Sequence, residues 1–319
     1  MMKIPDGFKT RHWPRRRVLA GLAGTAAGMA VTSGARAQFD LNVGGFNFGG
    51  IFSAAKSLFE GITLGEEDEI RIGVGLYPRM IAGFGGAYKN SKVQSAMRRF
   101  AEPLIRTTAR PNLPWDIVVL DDNTVNAWAL PGGKLAVNKG LLRYAASDHE
   151  LAAVIAHEIG HVEKSHALEE MRSGKFTSFF TEAGAQAIRT QVESGAETLM
   201  TDMMLDALSS AIIRLVTSGY SRGAELEADA HLLKVFDLAG YDPKQASGFY
   251  LTLLELIPPD AEGSTSLFAS HPETRERAEK LDELAAGLPS PRFKAASRGY
   301  AELRRVFPTR KYFRRNPRS

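Results

Sequence analysis

A mainly α (α+β) domain is the fold class this sequence predicts, and three features predict it. Apolar residues recur at helical spacing around Lys92 to Thr107, 148–170, 192–218, 224–239, 243–257 and 273–286. Short β-rich runs are confined to Trp115–Asn138, where they read as a small β-meander. No internal repeat is visible and cysteine is absent, which excludes a disulfide scaffold, thiolate metal ligands and lipid attachment through an N-terminal cysteine.

Taken in order, residues 1–37 read as an export leader. Arg15-Arg16-Arg17-Val18-Leu19 has the twin-arginine form, Val18 to Val31 is a short apolar segment, and Ala35-Arg36-Ala37 is a small-x-small cleavage site. The apolar segment is shorter than the roughly 20 residues needed to span a bilayer, so cleavage and a periplasmic destination are expected, with a peripheral membrane association left open. Residues 38–68 form a glycine-rich linker, Gln38 to Gly50, followed by an amphipathic segment, Ile51 to Phe59, and a break at Gly65 to Glu69. The main domain is placed at 69–290 and a basic tail at 291–319.

Within the domain, Trp115 to Leu120 is an apolar run closed by the turn residues Asp121-Asp122-Asn123. Val125 to Leu130 and Lys134 to Asn138 then flank Pro131-Gly132-Gly133, which suits a hairpin. Ser147-Asp148-His149-Glu150 has the form of a capping box, and Leu151, Ile155, Ile159 and Val162 follow as one helical stripe for the core. The stretch 192–218 is amphipathic and interrupted by acids, with Met200, Met203 and Met204 suited either to a groove or to filling gaps in a core.

The helix from 148 carries His157-Glu158-Ile159-Gly160-His161. Histidines four apart on a helix lie one turn above the other, so both imidazoles reach one ion while Glu158 sits beside them. Zinc takes neutral imidazole donors and keeps an open position for water, and a neighbouring carboxylate can accept that water's proton. A third protein ligand must come from elsewhere. The best candidate is Glu225, which shares a helix face with Asp229, so that one carboxylate binds metal and the other accepts the spare N–H of a ligand histidine. Glu227 is the weaker alternative, and an acidic helix start favoured by the helix dipole is the plain structural reading. His149, His166 and His231 lack comparable spacing and read as surface or satisfied core residues. Arg275 and Arg277 follow on the same helix and suit either a place facing the cleft or, the preferred reading, solvated charges.

These residues belong to a larger pattern. Pro114-Trp115, Asn126 through Gly133, Gly140-Leu141-Leu142, Glu150 to His161, Ser221-Arg222 with Glu225, Ala228-Asp229 and Ser270-His271-Pro272 together resemble the HtpX and CAAX prenyl endopeptidase family of gluzincin metalloproteases, and within it the soluble periplasmic members of the BepA kind. The resemblance spans roughly 75–285. It implies one zinc per chain on His157, His161 and Glu225, Glu158 as the general base and Asp229 behind the ligands. It further implies that Asn126, Ala127, Trp128 and Ala129 border the cleft, where an extended substrate adds as a strand. His271 reads on its own as a helix entrance; the resemblance implies an inhibitory fourth ligand. The function so implied is a zinc-dependent endopeptidase acting on unfolded, misfolded or stalled envelope proteins. The alternative is a chaperone-like or adaptor protein for envelope protein assembly, using the same cleft.

The overall charge of +4 conceals a division. Residues 1–37 carry seven Lys or Arg against one Asp, and 291–319 carry ten against one Glu, leaving −11 for 38–290. The basic tail, with Tyr300, Phe307, Tyr312 and Phe313 interleaved, suits an anionic membrane surface or an acidic partner as well as a solvated extension. Nucleic acid is not an expected partner after export.

Overall fold

The computed structural model describes residues 42–43, 46–47, 65–172, 212–256, 267, 270–272, 274–291, 295 and 297–309. The expected leader at 1–37, the three methionines at 200–204 and the last ten residues lie outside them. The chain divides into two compact units, Met1–Gly49 and Gly50–Ser319. In the first, β1 (Asn42–Val43) and β2 (Phe46–Asn47) pair antiparallel within the stretch read from the sequence as an irregular linker.

Among the described residues, the second unit begins with α1 (Glu66–Gly83), a helix that periodicity alone does not reveal because Gly73, Gly75 and Pro78 interrupt the pattern. Its first turn carries Glu66, Glu67, Asp68 and Glu69, an acidic start that suits the helix dipole. Helix α2 (Ser91–Ile105) begins at Asn90, whose side chain accepts from the backbone N–H of Lys92 and Val93. It buries Val93, Ala96, Met97, Phe100, Ala101 and Leu104 along one stripe.

Strands β3 (Asp116–Leu120), β4 (Ala127–Leu130) and β5 (Lys134–Asn138) form the sheet at the expected places, but not as a meander. The order is β3-β5-β4, with β3 parallel to β5 and β4 antiparallel to it. Both faces are covered. Ile117, Val119, Ala127, Ala129, Leu135 and Val137 join a core with α2, while Val118, Leu120, Trp128, Leu130 and Ala136 join a second core with Ile72, Leu76, Tyr77 and Met80 of α1. The β4–β5 turn uses φ of 71° at Gly132 and 81° at Gly133. It lies so close to α1 that a Cβ on Gly73 would fall 1.9 Å from the carbonyl oxygen of Pro131.

After the short α3 (Lys139–Leu142) comes α4 (Asp148–Glu163). Ser147 caps it by accepting from the N–H of Glu150, but the Glu150 carboxylate turns to the N–H of Ala146, so the reciprocal half of the expected box is absent. Every residue from Leu151 to Val162 is buried, not only the expected stripe. Such burial contributes about 1.5–3 kcal/mol for each Leu or Ile. The helix expected to continue to 170 breaks at Lys164-Ser165, where Ser165 takes φ 53°, and resumes as α5 (His166–Arg172).

Ser221 caps α6 (Arg222–Ala239), and Gly240 ends it at φ 81°. A 3-10 turn at Pro243–Gln245 and α7 (Gly248–Leu256) follow, then α8 (Thr274–Ala286) and α9 (Tyr300–Val306). Helix α9 lies within the basic stretch 291–319 and packs on the domain: Leu303 and Phe307 enter the main core, and Arg304 donates to the carbonyls of Leu142 and Ala145. Helices α4 and α6 pack against each other at Gly160, where an added Cβ would lie 3.1 Å from Ala228 Cα. This close crossing sets the ends of the site. Among the described residues, no helix is long and apolar enough to cross a membrane.

Candidate metal centre

The crossing brings side chains of α4 and α6 together. Glu225, in the first turn of α6, places Oε2 3.3 Å from His157 Nε2 and Oε1 3.5 Å from His161 Nε2. The two imidazole Nε2 atoms are 3.0 Å apart. A further donor arrives from the segment ahead of α8, where His271 Nδ1 lies 3.3 Å from His157 Nε2 and 3.1 Å from Glu225 Oε2. Glu158 borders the group, with Oε1 3.4 Å from His271 Nε2. All are buried.

The group fits a divalent ion. Arms of 2.0–2.1 Å to a tetrahedral centre put donors about 3.3–3.4 Å apart, and these separations run from 3.0 to 3.5 Å. All four donors lie within 4.8 Å of one another. Each histidine offers one ring nitrogen to the centre and turns the other to a separate partner.

For His157 that partner is a charged cluster. Its Nδ1 lies 2.9 Å from Asp229 Oδ1, and Asp229 is gripped by Arg277, with Nε to Oδ2 and Nη2 to Oδ1 both at 2.8 Å. Arg277 also reaches Glu225 Oε2 at 2.5 Å through Nη1 and donates to the Tyr250 hydroxyl at 2.6 Å, which in turn donates to Asp229 Oδ1. Only 1% of Arg277 is exposed, which corrects its reading as a solvated charge. The signal was present in the sequence: on α8 it shares the stripe of Thr274, Ala278, Leu281 and Ala285, where a charge must find an acid.

For His161 the partners are uncharged rings. Its Nδ1 lies 2.9 Å from His166 Nδ1, and its face stacks on Tyr220 at 4.0 Å between centroids. His166 is buried, which places it in the core, and its ring approaches Glu227 at 3.4 Å. Glu227 points away from the centre. Among the described residues, two further histidines stand apart: His149 bonds Asp148, and His231 is buried facing Glu163 at 3.0 Å.

Protonation follows these surroundings. Burial and Arg277 oppose a charge on His157, but Asp229 and Glu225 outweigh them and raise its pKa to about 9 in the metal-free protein. Burial, then the charge on His157, holds His161 well below its ordinary value. Burial raises Glu158. Burial opposes ionisation of Glu225 and Asp229 as well, yet His271 and Arg277 hold Glu225 well below the carboxylate range, and Arg277 holds Asp229 at about 2.

The strand residues contribute differently from one another. Asn126 lies at the site, its Oδ1 accepting from the Ser270 hydroxyl at 3.3 Å, and β4 packs along α4 at the sheet edge. Trp128 faces the opposite way, into the second core, against Tyr77 and Phe84. Asn126, Ala127, Trp128 and Ala129 are all buried.

Residues 88–285, more than half of the chain, match the model of peptidase family M48. The chain belongs to peptidase family M48. That makes it a metalloendopeptidase by class, and among the described residues the buried His-His-Glu-His group is able to bind a metal. The M48 chain is 28% identical over 247 residues to the metalloprotease YcaL of Escherichia coli K12, covering 77% of this chain and 91% of that protein. It is 30% identical over 189 residues to the mitochondrial metalloendopeptidase OMA1 of Arabidopsis thaliana, covering 59% of this chain. It is 24% identical over 197 residues to the beta-barrel assembly-enhancing protease of Escherichia coli K12, covering 61%. The matched region spans only 35% of the length of OMA1 and 39% of that of the assembly-enhancing protease.

Proposed function

We propose that the chain is a zinc endopeptidase of the soluble, exported, BepA-like kind, acting on misfolded or stalled envelope proteins. The observation that carries this reading is the convergence of His157, His161 and Glu225 from two helices, with the Glu158 carboxylate at the edge of the same buried group. The donor set of imidazole and carboxylate suits zinc. When bound, zinc supplies Lewis-acid polarisation of the scissile carbonyl and lowers the pKa of a water toward about 7. Glu158 takes the proton from the attacking water and passes it to the leaving amine. Its surroundings favour uptake, since burial already disfavours the charged carboxylate. Asp229 holds His157 with Nε2 toward the centre, and Arg277 keeps Asp229 ionised and oriented.

His271 fits the role of a plug. Four protein donors close a tetrahedral zinc site, whereas catalysis requires one position free for water or substrate. The Ser270 hydroxyl bonded to Asn126 lays the same segment against the end of β4, where a substrate strand would add. On this reading the described conformation is latent, and removal of the segment opens the ion and the strand together.

Export through the twin-arginine route rests on Arg15-Arg16-Arg17 and the Ala35-Arg36-Ala37 site, and the envelope as the place of action rests on that export together with the name of the assembly-enhancing relative. The closed site also suits an adaptor that holds client chains without cutting them. Digestion of an unfolded protein by the wild type, Glu158→Gln and His271→Ala separates the two. A peptidase loses activity by about 10²–10⁴ in Glu158→Gln with its zinc retained, and His271→Ala cuts faster than the wild type. Client binding without any cleavage, unchanged in Glu158→Gln, would establish the adaptor instead.

A further inference from the structure

We propose that His166 is a positioning residue for the metal centre, fixing the tautomer of His161 through a two-ring relay that ends on Glu227. This rests on the reading of His161 as a ligand. The chain of contacts runs His161 Nδ1 to His166 Nδ1 at 2.9 Å, then His166 Nε2 to Glu227 Oε2 at 3.4 Å.

Hydrogen-bond chemistry orients each proton from the outer end inward. The Glu227 carboxylate also faces Lys164 at 2.6 Å, is half-exposed, and as an ion only accepts. His166 Nε2 therefore carries the proton, which leaves Nδ1 of a neutral ring as an acceptor. His161 Nδ1 must then be the donor to it, and the lone pair of His161 falls on Nε2. That atom is the one facing His157 Nε2 and Glu225 Oε1. A carboxylate near the surface thus decides which nitrogen a buried histidine presents to the centre.

The backbone is shaped for this contact. Had α4 run on without interruption, residues 161 and 166 would be five apart and on different faces of one helix. The break at Lys164-Ser165 starts a new helix whose first residue is His166. Ser165 holds φ 53°, an uncommon conformation for a residue with a Cβ. Its hydroxyl donates to Glu69 Oε1 at 2.5 Å and accepts from Arg110 at 3.0 Å, and Arg110 also binds Glu66 and Glu69. Helix α1 therefore secures the turn that delivers His166. Helix α6 supplies both a direct donor, Glu225, and the far end of the relay, Glu227, on opposite sides.

The test compares zinc affinity, by competition with a chromophoric chelator, in the wild type, His166→Leu, His166→Asn and Glu227→Ala. Asn places an amide oxygen near the position of His Nδ1, so it restores the acceptor; Leu fills the space without one. The expected result is a 10–100-fold loss in His166→Leu, affinity within a few-fold of wild type in His166→Asn, and a several-fold loss in Glu227→Ala. Glu227 is half-exposed, so its variant keeps the core intact. Nitrogen-detected NMR of the metal-free protein should also find the proton on Nε2 of His166. Wild-type affinity in His166→Leu, equal losses in the Asn and Leu variants, or a proton on His166 Nδ1 would each overturn the relay. Failure of the wild type itself to bind zinc would overturn the donor set, and the relay with it.

Discussion

His157 and His161 stand one turn apart on the same helix, yet the protein backs them in opposite ways. Behind His157 is a sealed electrostatic cluster in which Asp229, Arg277 and Tyr250 come from three helices and are all buried. Behind His161 is a run of neutral rings, His166 and Tyr220, leading to a carboxylate at the surface. One ligand is tuned by a full anion held in place by a full cation. Its neighbour is tuned by tautomer alone. Both arrangements turn Nε2 toward the centre, but they differ in what they cost the metal-free protein. The first leaves a strongly coupled set of buried charges, the second almost none.

The largest expected difference between the two comes from removing the cation. Arg277→Met leaves Asp229 and Glu225 buried without their partner, and breaking a buried pair in this manner costs about 3–5 kcal/mol. Denaturant unfolding of the metal-free protein measures it. A loss below about 1 kcal/mol would mean that the charged cluster is no more demanding than the neutral relay.

A smaller effect distinguishes the two ligands by proton release. In the metal-free protein His157 holds a proton up to about pH 9, whereas His161 and Glu225 have pKa values held well below their ordinary ones. An ion must displace the His157 proton, so apparent zinc affinity rises about tenfold per pH unit from 7 to about 9 and then levels off. Because this pKa is raised on folding, the same proton stabilises the metal-free fold fully below about pH 6.5, and that contribution is lost as pH rises through about 9. Chelator competition across this range checks the slope. A flat profile would remove the electrostatic asymmetry between the histidines.

The same contrast explains what was legible in the sequence. His157, Glu158, His161, Glu225 and Asp229 follow local helical spacing, three to four residues apart within one helix, so their shared faces could be read directly. The capped start of α4 and the hairpin glycines were legible for the same reason. What escaped depends on separations that spacing does not encode. Arg277 approaches from a different helix, and only its place in an apolar stripe betrayed its burial. His166 depends on a turn at a non-glycine residue with positive φ, which no local rule favours. The order β3-β5-β4 arises because β3 pairs in parallel with a strand that follows the intervening β4, whereas sequence adjacency suggests a meander. Helix α1 was obscured by residues that its close packing against the Pro131-Gly132 turn requires, Gly73 above all.

Metal analysis of the purified chain, wild type beside Glu225→Ala, tests the central claim most directly. The account predicts one zinc per wild-type chain and almost none in the variant, with both proteins folded. Equal zinc in the two would show that the carboxylate of α6 does not complete the centre, and would contradict the assignment of His157, His161 and Glu225 as its ligands.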